Sequence, residues 1–431
     1  MALHLLKLIW NRKRTNFLII IEILLSFIVL AAVSTMATHY YRNYQAPLGY
    51  SYERIWDVHV RVPRGLDSTP EIERERLARM VRLIDATRMM PEVESVSHLQ
   101  LGTFRDWEWN SDTKINGRQI EFNGNRGGDE LAETQSITLV DGRWFSREDT
   151  GQNWDAVVLN RRMARDVFGD TRAVGQQIPQ DEAPRPGQPA DRPRRVVGVI
   201  EDFRQFGEYS TPGNYVFMRN DIVTAANAAI PDADPAAAAP ADARTQVAAG
   251  VELPSIIVIR VRPGVTAEFE ERLVKTLQTL APDWSFGMQP LTDIRTSYLR
   301  SNYLTPLAIL GLLAGFLLVM VALGLSGVLW QNVTQRIREL GLRRAKGADR
   351  ERIRRQILGE LALMTAIAVI GGLLLMAQVP MLGWLGAVPK GVYATSLGLA
   401  GLALFALTMF CGWYPSVLAT RIPPAEALRY E

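Results

Sequence analysis

Four long apolar runs alternate with polar segments along the chain, and the longest polar segment separates the first run from the other three. The runs cover residues 17–38, 303–330, 357–378 and 393–415, and each is about as long as a helix that crosses a bilayer. A helix satisfies its own main-chain hydrogen bonds in lipid, so each run is predicted to be a transmembrane helix. The pattern predicts an α-helical membrane protein with one helix, an inserted polar domain and three further helices.

The polar domain, residues 39–302, shows the patterns of both strands and helices. Alternating or short buried apolar runs predict strands at residues 55–62, 93–104, 113–122, 156–159, 196–200, 215–218 and 256–261, with a hairpin turn at Asn116 and Gly117. Helical spacing predicts helices at residues 69–90, 161–168 and 265–280. The Ala/Pro-rich insert at residues 230–250 has little to bury and is predicted to be flexible. We therefore predict a large α+β domain between the first and second transmembrane helices.

Basic residues predict the orientation in the membrane. The segment 331–356 carries nine Lys or Arg residues against three Asp or Glu residues. Lys and Arg resist translocation, so this segment is expected in the cytoplasm. Both termini then lie inside, as an amphipathic lead-in at residues 1–16 and a tail at residues 416–431. The polar domain and the short turn at residues 379–392 lie outside.

The composition argues against several kinds of chemistry. The net charge of +3 is too small to indicate a nucleic-acid partner. Cys411 is the only cysteine and the four histidines are scattered, so neither a disulfide framework nor a metal site is expected. The sequence has no phosphate-binding loop of the G-x-x-x-x-G-K-[ST] type. We expect no cofactor bound by this chain and no enzymatic activity of its own.

The basic segment 331–356 has the pattern of a short helix followed by a turn. Ile337 and Leu340 fall on one side of a helix. Gly347 suits the end of that helix, and Asp349 suits the N-cap of the next. A helix held at the inner membrane surface can receive force from a soluble partner. The alternative is that the charge serves only as a topology signal, as it does in most basic loops between spans.

The run RIRELGLRRAKGADRERIRRQILGE, residues 336–360, resembles the signature of the MacB/FtsX-type ABC permeases. That pattern is an R-x-x-E-I-G-[LI]-R-[RK]-A-x-G-A core followed by an I-x-x-Q-x-x-x-E tail. Lys346 departs from it, since a small or apolar residue is commoner there. The matching residues are Arg336, Glu339, Leu340, Gly341, Leu342, Arg343, Arg344, Ala345, Gly347, Ala348, Ile353, Gln356 and Glu360.

The polar domain and the tail carry further resemblance. The runs GRWFS, VVLNRRMARDVFGD, AVGQQI and RVVGVIEDFR are similar to the extracytoplasmic core domain of MacB-type permeases, and the tail is similar to the closing pattern of the family. The domain residues look as if they fix a fold, with Gly169 and Gly175 suited to turns of positive φ. The matching positions are Asn160, Ala164, Phe168, Gly169, Val174, Gly175, Ile178, Val197, Gly198, Val199 and Asp202, then Pro415, Ala419, Pro424, Glu426, Ala427, Leu428 and Arg429.

The resemblance implies one set of site residues, and the predicted membrane spans provide a second. The ATPase-coupling residues are Arg336, Glu339, Leu340, Gly341, Leu342, Arg343, Arg344, Ala345, Lys346 and Gly347. The candidates for helix–helix contacts are Gly311 and Gly315, which form a GxxxG, and the carboxylates Glu22 and Glu360. ATP and Mg²⁺ would be bound by the partner ATPase.

The resemblance also implies partners and location. We expect two ABC ATPase subunits, which are separate chains because only 16 residues precede the first span. We also expect a second copy of the chain or a paralogous permease, and the family further suggests a periplasmic adaptor and an outer-membrane channel. The expected location is the bacterial inner membrane, with multiple spans in contact with lipid.

The function implied by the resemblance is that of a permease subunit, with efflux or export of a peptide, antibiotic or other amphipathic substrate ranked first. One alternative is a lipoprotein-releasing, LolC-like permease. Another is a membrane receptor or regulator of cell-wall enzymes that transports nothing. A receptor that signals inward should carry a cytoplasmic output domain, whereas the largest predicted cytoplasmic segment, residues 331–356, is short.

Overall fold

The computed structural model of the chain describes residues 13–63, 69–105, 109–115, 117–179, 192–227, 251–265, 267–335, 349–383, 385–386 and 388–421. The chain divides into two compact units. The first, called here the membrane unit, combines Met1–Arg42 with Asn302–Glu431. The second, called the domain, is Asn43–Ser301.

The elements follow one another in chain order. The helices are α1 Lys13–Tyr44, α2 Pro70–Arg88, α3 Leu131–Thr134, α4 Arg161–Phe168, α5 Ile222–Asn227, α6 Ala267–Leu280, α7 Leu291–Leu299, α8 Thr305–Gln335, α9 Arg350–Met376, α10 Gln378–Met381 and α11 Lys390–Arg421. The strands are β1 Ile55–Arg61, β2 Val93–Leu99, β3 Trp109–Ile115, β4 Arg118–Gly127, β5 Leu139–Gly142, β6 Asp155–Asn160, β7 Arg194–Ile200, β8 Tyr215–Arg219, β9 Ile256–Val261 and β10 Ser285–Pro290. A 3₁₀ turn lies at Arg147–Asp149 and a π-helical turn at Arg300–Leu304.

Four helical stretches in the described part of the chain are long and apolar enough to cross a membrane. They are Ile19–Tyr44, Leu291–Gly327, Glu351–Met381 and Lys390–Trp413. The second stretch runs through α7, the π-helical turn and the first part of α8. The helices extend beyond the apolar runs because polar residues at their ends continue the helical hydrogen bonding, as in α8, which reaches Gln335.

The core of the membrane unit is built on one side of α1. Ile19, Ile23, Phe27 and Ala31 recur at every fourth position, which places them on one face of the helix, and all four are buried. They pack with apolar residues of the other three long helices: Val321, Leu325, Leu361, Met364, Ala368, Ala400 and Leu404. The opposite side of α1 is more open, as Phe17 and Leu25 are 61% and 57% exposed.

In its described residues the domain is organised around a mixed sheet of ten strands, in the order β10-β1-β9-β2-β4-β8-β6-β7-β5, with β3 paired to β4. Strands β10, β1, β9 and β2 are antiparallel neighbours. The other half includes two parallel pairs, β4 with β8 and β6 with β7. The halves meet between β2 and β4, where Leu99 and Gly127 are partners.

The two faces of the antiparallel half belong to different cores. Val58 and Val60 of β1 pack in one core with Met80 of α2 and Phe269 and Leu273 of α6. The other core contains Ile55 of β1, Val258 of β9, Leu131 of α3, and Leu291 and Ile294 of α7. Adjacent residues of β1 therefore alternate between two helix-covered faces, as side chains of a strand must.

The structure confirms the predicted fold class of four transmembrane helices and a large domain that mixes strands with single helices. Strand β9 has the predicted bounds, and the pairing of Ile115 with Arg118 leaves a two-residue hairpin turn whose Gly117 has φ +74°. Asn116, the other residue of the predicted turn, lies outside the described residues, as does the whole insert at residues 230–250. Strands β5 and β10 were not predicted, because neither has a clear apolar alternation.

Candidate functional site

The residues predicted to couple the chain to an ATPase, Arg336 to Gly347, lie outside the described residues. Their two flanks are described. Helix α8 ends at Gln335, and α9 begins at Arg350 with Asp349 in the N-cap position, as predicted. The Asp349 side chain makes no capping hydrogen bond, although its main-chain oxygen accepts from Ile353 N–H at 3.3 Å.

In the first turns of α9, one carboxylate pairs with two arginines. Glu351 pairs with Arg354 at 2.6 Å and with Arg355 at 3.1 Å. A carboxylate in the first turn also interacts favourably with the positive end of the helix dipole. The Arg354 guanidinium lies 4.8 Å from the centroid of the Trp413 ring of α11, which links the two helices by a cation–π contact.

Of the four candidates for helix contacts, Glu22 lies against another helix. A β-carbon at Gly324 of α8 would come within 2.7 Å of Glu22 Oε1, so the glycine leaves the space that this carboxylate occupies. Glu360 accepts a hydrogen bond from Gln356 Nε2 of its own helix at 3.2 Å. Gly311 and Gly315 are exposed, and a β-carbon at either would meet no described atom within 4 Å.

One close helix contact in the membrane unit was not predicted from the sequence. A β-carbon at Gly372 of α9 would come within 2.3 Å of Phe27 Cδ1, and one at Gly401 of α11 would come within 3.7 Å of Phe27 Cε2. The Phe27 ring therefore sits between glycines of two helices. Nearby, the hydroxyl oxygens of the buried Thr365 and Thr408 lie 3.2 Å apart and join α9 to α11.

In the domain, several polar contacts surround Arg204, which is 3% exposed. Its guanidinium donates to the main-chain oxygens of Asn43 at 2.7 Å and Ala46 at 3.1 Å, and to those of Glu208 and Ser210. Asn43 lies in the last turn of α1, where main-chain oxygens lack helical partners and carry partial negative charge. Loss of the guanidinium would leave buried main-chain oxygens without this donor, at about 1–3 kcal/mol for each oxygen that stays unsatisfied.

The loop around Arg204, residues 202–210, also contacts α7. Glu208 pairs with Arg295 at 2.5 Å, and the Arg295 guanidinium lies 4.4 Å from the centroid of the Tyr52 ring. Phe206 stacks on Tyr298 with ring centroids 6.5 Å apart. We call residues 202–210 the clasp, because one loop contacts both the first segment of the domain, residues 43–52, and its last helix, α7.

Two glycines permit the close approach of the clasp. Gly49 has φ +92°, and a β-carbon there would come within 1.9 Å of the main-chain oxygen of Asp202. Gly207 has φ +85°, and a β-carbon there would come within 2.7 Å of Phe104 and 3.0 Å of Leu299. Both positions require a residue without a side chain, on grounds of conformation and of space.

The start of the clasp is fixed by Asn160, one of the residues of the MacB-like pattern. Its Nδ2 donates to Asp202 Oδ1 at 3.1 Å and to Gly213 O at 2.7 Å. Its Oδ1 accepts from the main-chain N–H groups of Met163 and Tyr215, both at 3.0 Å. Asn160 thus uses its side chain to cap α4 and to hold two loops. The structural role predicted for these residues agrees with the positive φ of Gly169 and Gly175.

A buried carboxyl group lies in the sheet close to this region. Asp57 of β1 is 1% exposed, and neither of its carboxyl oxygens has a hydrogen-bond partner among the described residues. Burial raises the pKa of Asp57 to about 7, although the Arg105 guanidinium acts in the opposite direction. The group is therefore protonated over much of the range below neutral pH. No cluster of three or more potential metal ligands occurs in the described part of the chain.

Two stretches of the chain match the models of known protein families, and these matches identify the architecture. Residues 17–276 match the model of the MacB-like periplasmic core domain, and residues 311–424 match that of the FtsX-like permease C-terminal region. The first match alone covers more than half of the chain. The chain belongs to the MacB/FtsX-type permeases of ABC transporters. The basic segment 331–356, α9 and α11 fall within the FtsX-like region, and the clasp falls within the MacB-like domain.

Individual relatives of this MacB/FtsX-type permease agree with the family models. Over 321 residues it is 27% identical to the macrolide export ATP-binding/permease protein MacB of Bdellovibrio bacteriovorus, an alignment that covers 69% of this chain and 42% of that protein. The MacB protein of Chlorobium luteolum is also 27% identical, with coverage of 74% and 45%. The uncharacterized ABC transporter permease YvrN of Bacillus subtilis is 24% identical, with coverage of 70% and 69%.

The permease therefore spans less than half the length of the MacB proteins that it resembles. Among solved structures, the periplasmic region of MacB from Actinobacillus actinomycetemcomitans superposes with a TM-score of 0.36 at 12% identity, over 57% of this chain and 93% of that one.

Proposed function

We propose that this permease converts ATP hydrolysis by a separate ATPase subunit into movement of its extracytoplasmic domain, for efflux or export of a peptide, antibiotic or other amphipathic substrate. The observation that carries the proposal is the union, in one chain, of a MacB-like periplasmic core domain with an FtsX-like membrane region. The Bdellovibrio and Chlorobium relatives are named macrolide export ATP-binding/permease proteins.

The contact with the ATPase is assigned to the basic segment between α8 and α9. Leu340, Leu342 and Ala345 would enter a groove of the ATPase, and polar contacts would come from Glu339 and Arg343 with its neighbour Arg344. The described flank supports this role, since Glu351 holds Arg354 and Arg355 at the start of α9 and Arg354 lies on Trp413. A force on the segment would then reach α9 and α11 together.

The proposed assembly contains two copies of the permease, or one copy with a paralogue, and two ATPase subunits that bind ATP and Mg²⁺. It lies in the bacterial inner membrane with both termini in the cytoplasm and the domain in the periplasm. A periplasmic adaptor and an outer-membrane channel would complete an export path. The basic segment supports this orientation, because Lys and Arg collect on the cytoplasmic side.

Charge reversal in the coupling segment tests the proposal. The tagged permease is purified from its native membrane together with its ATPase and reconstituted in proteoliposomes. The ATPase is identified by the phosphate-binding loop in its sequence. Glu339→Lys is expected to leave the unfolding temperature unchanged, abolish stimulation of the ATPase by the permease, and abolish transport. The matched control is Glu271→Lys, a charge reversal at an exposed position of α6. Normal stimulation and normal transport in Glu339→Lys would overturn the assignment.

A second measurement separates export from lipoprotein release. Cells that lack the permease are compared with the parent for intracellular accumulation of a macrolide and for lipoproteins retained in the inner membrane. Export predicts raised macrolide accumulation and an unchanged lipoprotein distribution. Retained lipoproteins with unchanged macrolide accumulation would replace export by the LolC-like alternative.

A further inference from the structure

The clasp contacts the beginning and the end of the domain through different side chains. Arg204 and Tyr209 face the first segment: Arg204 N–H donates to Leu48 O at 3.1 Å, and Tyr209 O accepts from Asn43 Nδ2 at 2.9 Å. The Tyr209 ring also stacks on Tyr44, with centroids 5.7 Å apart. These bonds add to those from the Arg204 guanidinium to Asn43 and Ala46.

Three residues between Arg204 and Tyr209, namely Phe206, Gly207 and Glu208, contact α7. Phe206 stacks on Tyr298, Gly207 lies against Leu299, and Glu208 pairs with Arg295. The two sets of contacts are joined inside the loop, because Arg204 also binds the main-chain oxygens of Glu208 and Ser210. A displacement of either segment must therefore strain contacts to the other one.

The two segments are where the chain enters and leaves the domain. Residue 43 is the first of the domain and belongs to the last turn of α1, while α7 ends at Leu299, two residues before the domain ends. A π-helical turn, a feature common at functional positions in helices, follows at Arg300–Leu304.

We propose that the clasp makes the entry segment of the domain, residues 43–52, and its exit segment, α7, move as one body. Arg204 and Glu208 are then positioning residues for the coupling of ATP hydrolysis to substrate movement. The mechanical part stands on the contacts of the clasp. The coupling part rests on the proposed function.

Hydrogen exchange of the full-length purified chain in nanodiscs tests the mechanical part without ATP or substrate. The informative variant is Glu208→Gln, which removes the carboxylate that pairs with Arg295 of α7. The expected result is an increase of at least tenfold in exchange both at residues 291–299 and at residues 43–50. Faster exchange at α7 alone, or at neither segment, would overturn the proposal.

The matched control is Asp141→Asn, which removes a carboxylate from another ion pair of the domain, with Arg172 at 2.8 Å. It is expected to leave exchange at both segments unchanged. Arg204→Lys provides a second variant that keeps the charge and loses the planar fork with which arginine binds several acceptors. It is expected to accelerate exchange at the same two segments.

The coupling part is tested in the reconstituted complex with its ATPase. In Glu208→Gln and Arg204→Lys, the ATPase rate is expected to stay within twofold of the parent rate while transport falls at least fivefold. A loss of folded complex would lower the ATPase rate and transport together. The ratio of transport to ATPase rate therefore distinguishes a positioning role from a loss of stability. A normal transport-to-ATPase ratio in both variants would overturn the coupling role. If the parent complex moves no substrate with ATP, the proposed function fails, and the hydrogen-exchange result still decides the mechanical part.

Discussion

The ring of Phe27 lies so close to Gly372 that a β-carbon at residue 372 would come within 2.3 Å of Phe27 Cδ1. Phe27 is fully buried, on the face of α1 that also carries Ile23 and Ala31. Glycine on α9 thus allows a large ring of α1 to reach the main chain of a neighbouring helix. Small residues at such contacts let transmembrane helices pack closely.

We predict that Gly372→Ala destabilises the membrane unit. The added methyl group overlaps a ring that is enclosed on all sides, and overpacking of this kind costs about 1–3 kcal/mol. The measurement is thermal unfolding of the purified chain in detergent. Gly398→Ala on α11 serves as the control, because a β-carbon there would meet no described atom within 4 Å. Equal unfolding temperatures for the two variants would contradict the packing described here.

The contrast between Gly372 and the GxxxG shows where sequence patterns lose information. Gly311 and Gly315 form a recognisable motif, yet a β-carbon at either position would meet no other described helix within 4 Å. Gly371 and Gly372 look like an ordinary apolar glycine pair, yet one of them receives Phe27. Spacing within a helix identifies a small-residue face, but the side chain that fills it comes from a residue hundreds of positions away.

We predict that the exposed glycine face of α8 contacts a second permease subunit. Gly315→Ile should lower the fraction of cross-linked dimer in native membranes severalfold, because a bulky side chain prevents close approach of two helices. The chain itself should remain folded, since space is free at this position. Dimer yield is measured after cross-linking, with Gly398→Ile as the control. An unchanged dimer fraction in Gly315→Ile would exclude this face from the subunit contact.

We predict that Asp57 makes the domain less stable as the pH rises. Its pKa is raised from the ordinary value of 3.8 to about 7, so the folded chain keeps a proton that the unfolded chain loses above about pH 4. The free energy of unfolding should therefore fall between about pH 4 and about pH 7 and stay lower above that range. The difference amounts to roughly 4 kcal/mol at most, at about 1.4 kcal/mol for each pKa unit.

Asp57→Asn isolates this contribution from those of other carboxylates. Asp141 and Asp221, whose pKa values are lowered in the folded chain, act in the opposite direction and are unchanged in the variant. Unfolding by denaturant should show similar stability of the two chains near pH 4 and a more stable variant at pH 8. A variant that is less stable than the parent at pH 8 would mean that Asp57 is ionised and paired in the folded domain.

The domain shows how much the sequence could predict. The helical spacing of Phe269, Leu273 and Leu277 identified the buried face of α6 because an amphipathic pattern is local. The clasp was not predicted, although the MacB-like pattern reached Asp202. Arg204 and Asn43 are 161 positions apart, and their contact joins a side chain to a main-chain oxygen. Such a contact leaves no periodic signal in the sequence, where the tight turns at Gly49 and Gly207, both of positive φ, are marked only by single glycines.

In the proposed function, ATP hydrolysed by a partner subunit moves the domain of this permease. The most direct measurement is hydrogen exchange at residues 43–50 and 291–299 of the permease–ATPase complex in nanodiscs, with and without ATP and vanadate. We expect nucleotide to change the rate of hydrogen exchange at both segments in the complex and at neither segment in the permease alone. Exchange that is the same with and without nucleotide while the complex hydrolyses ATP would contradict it.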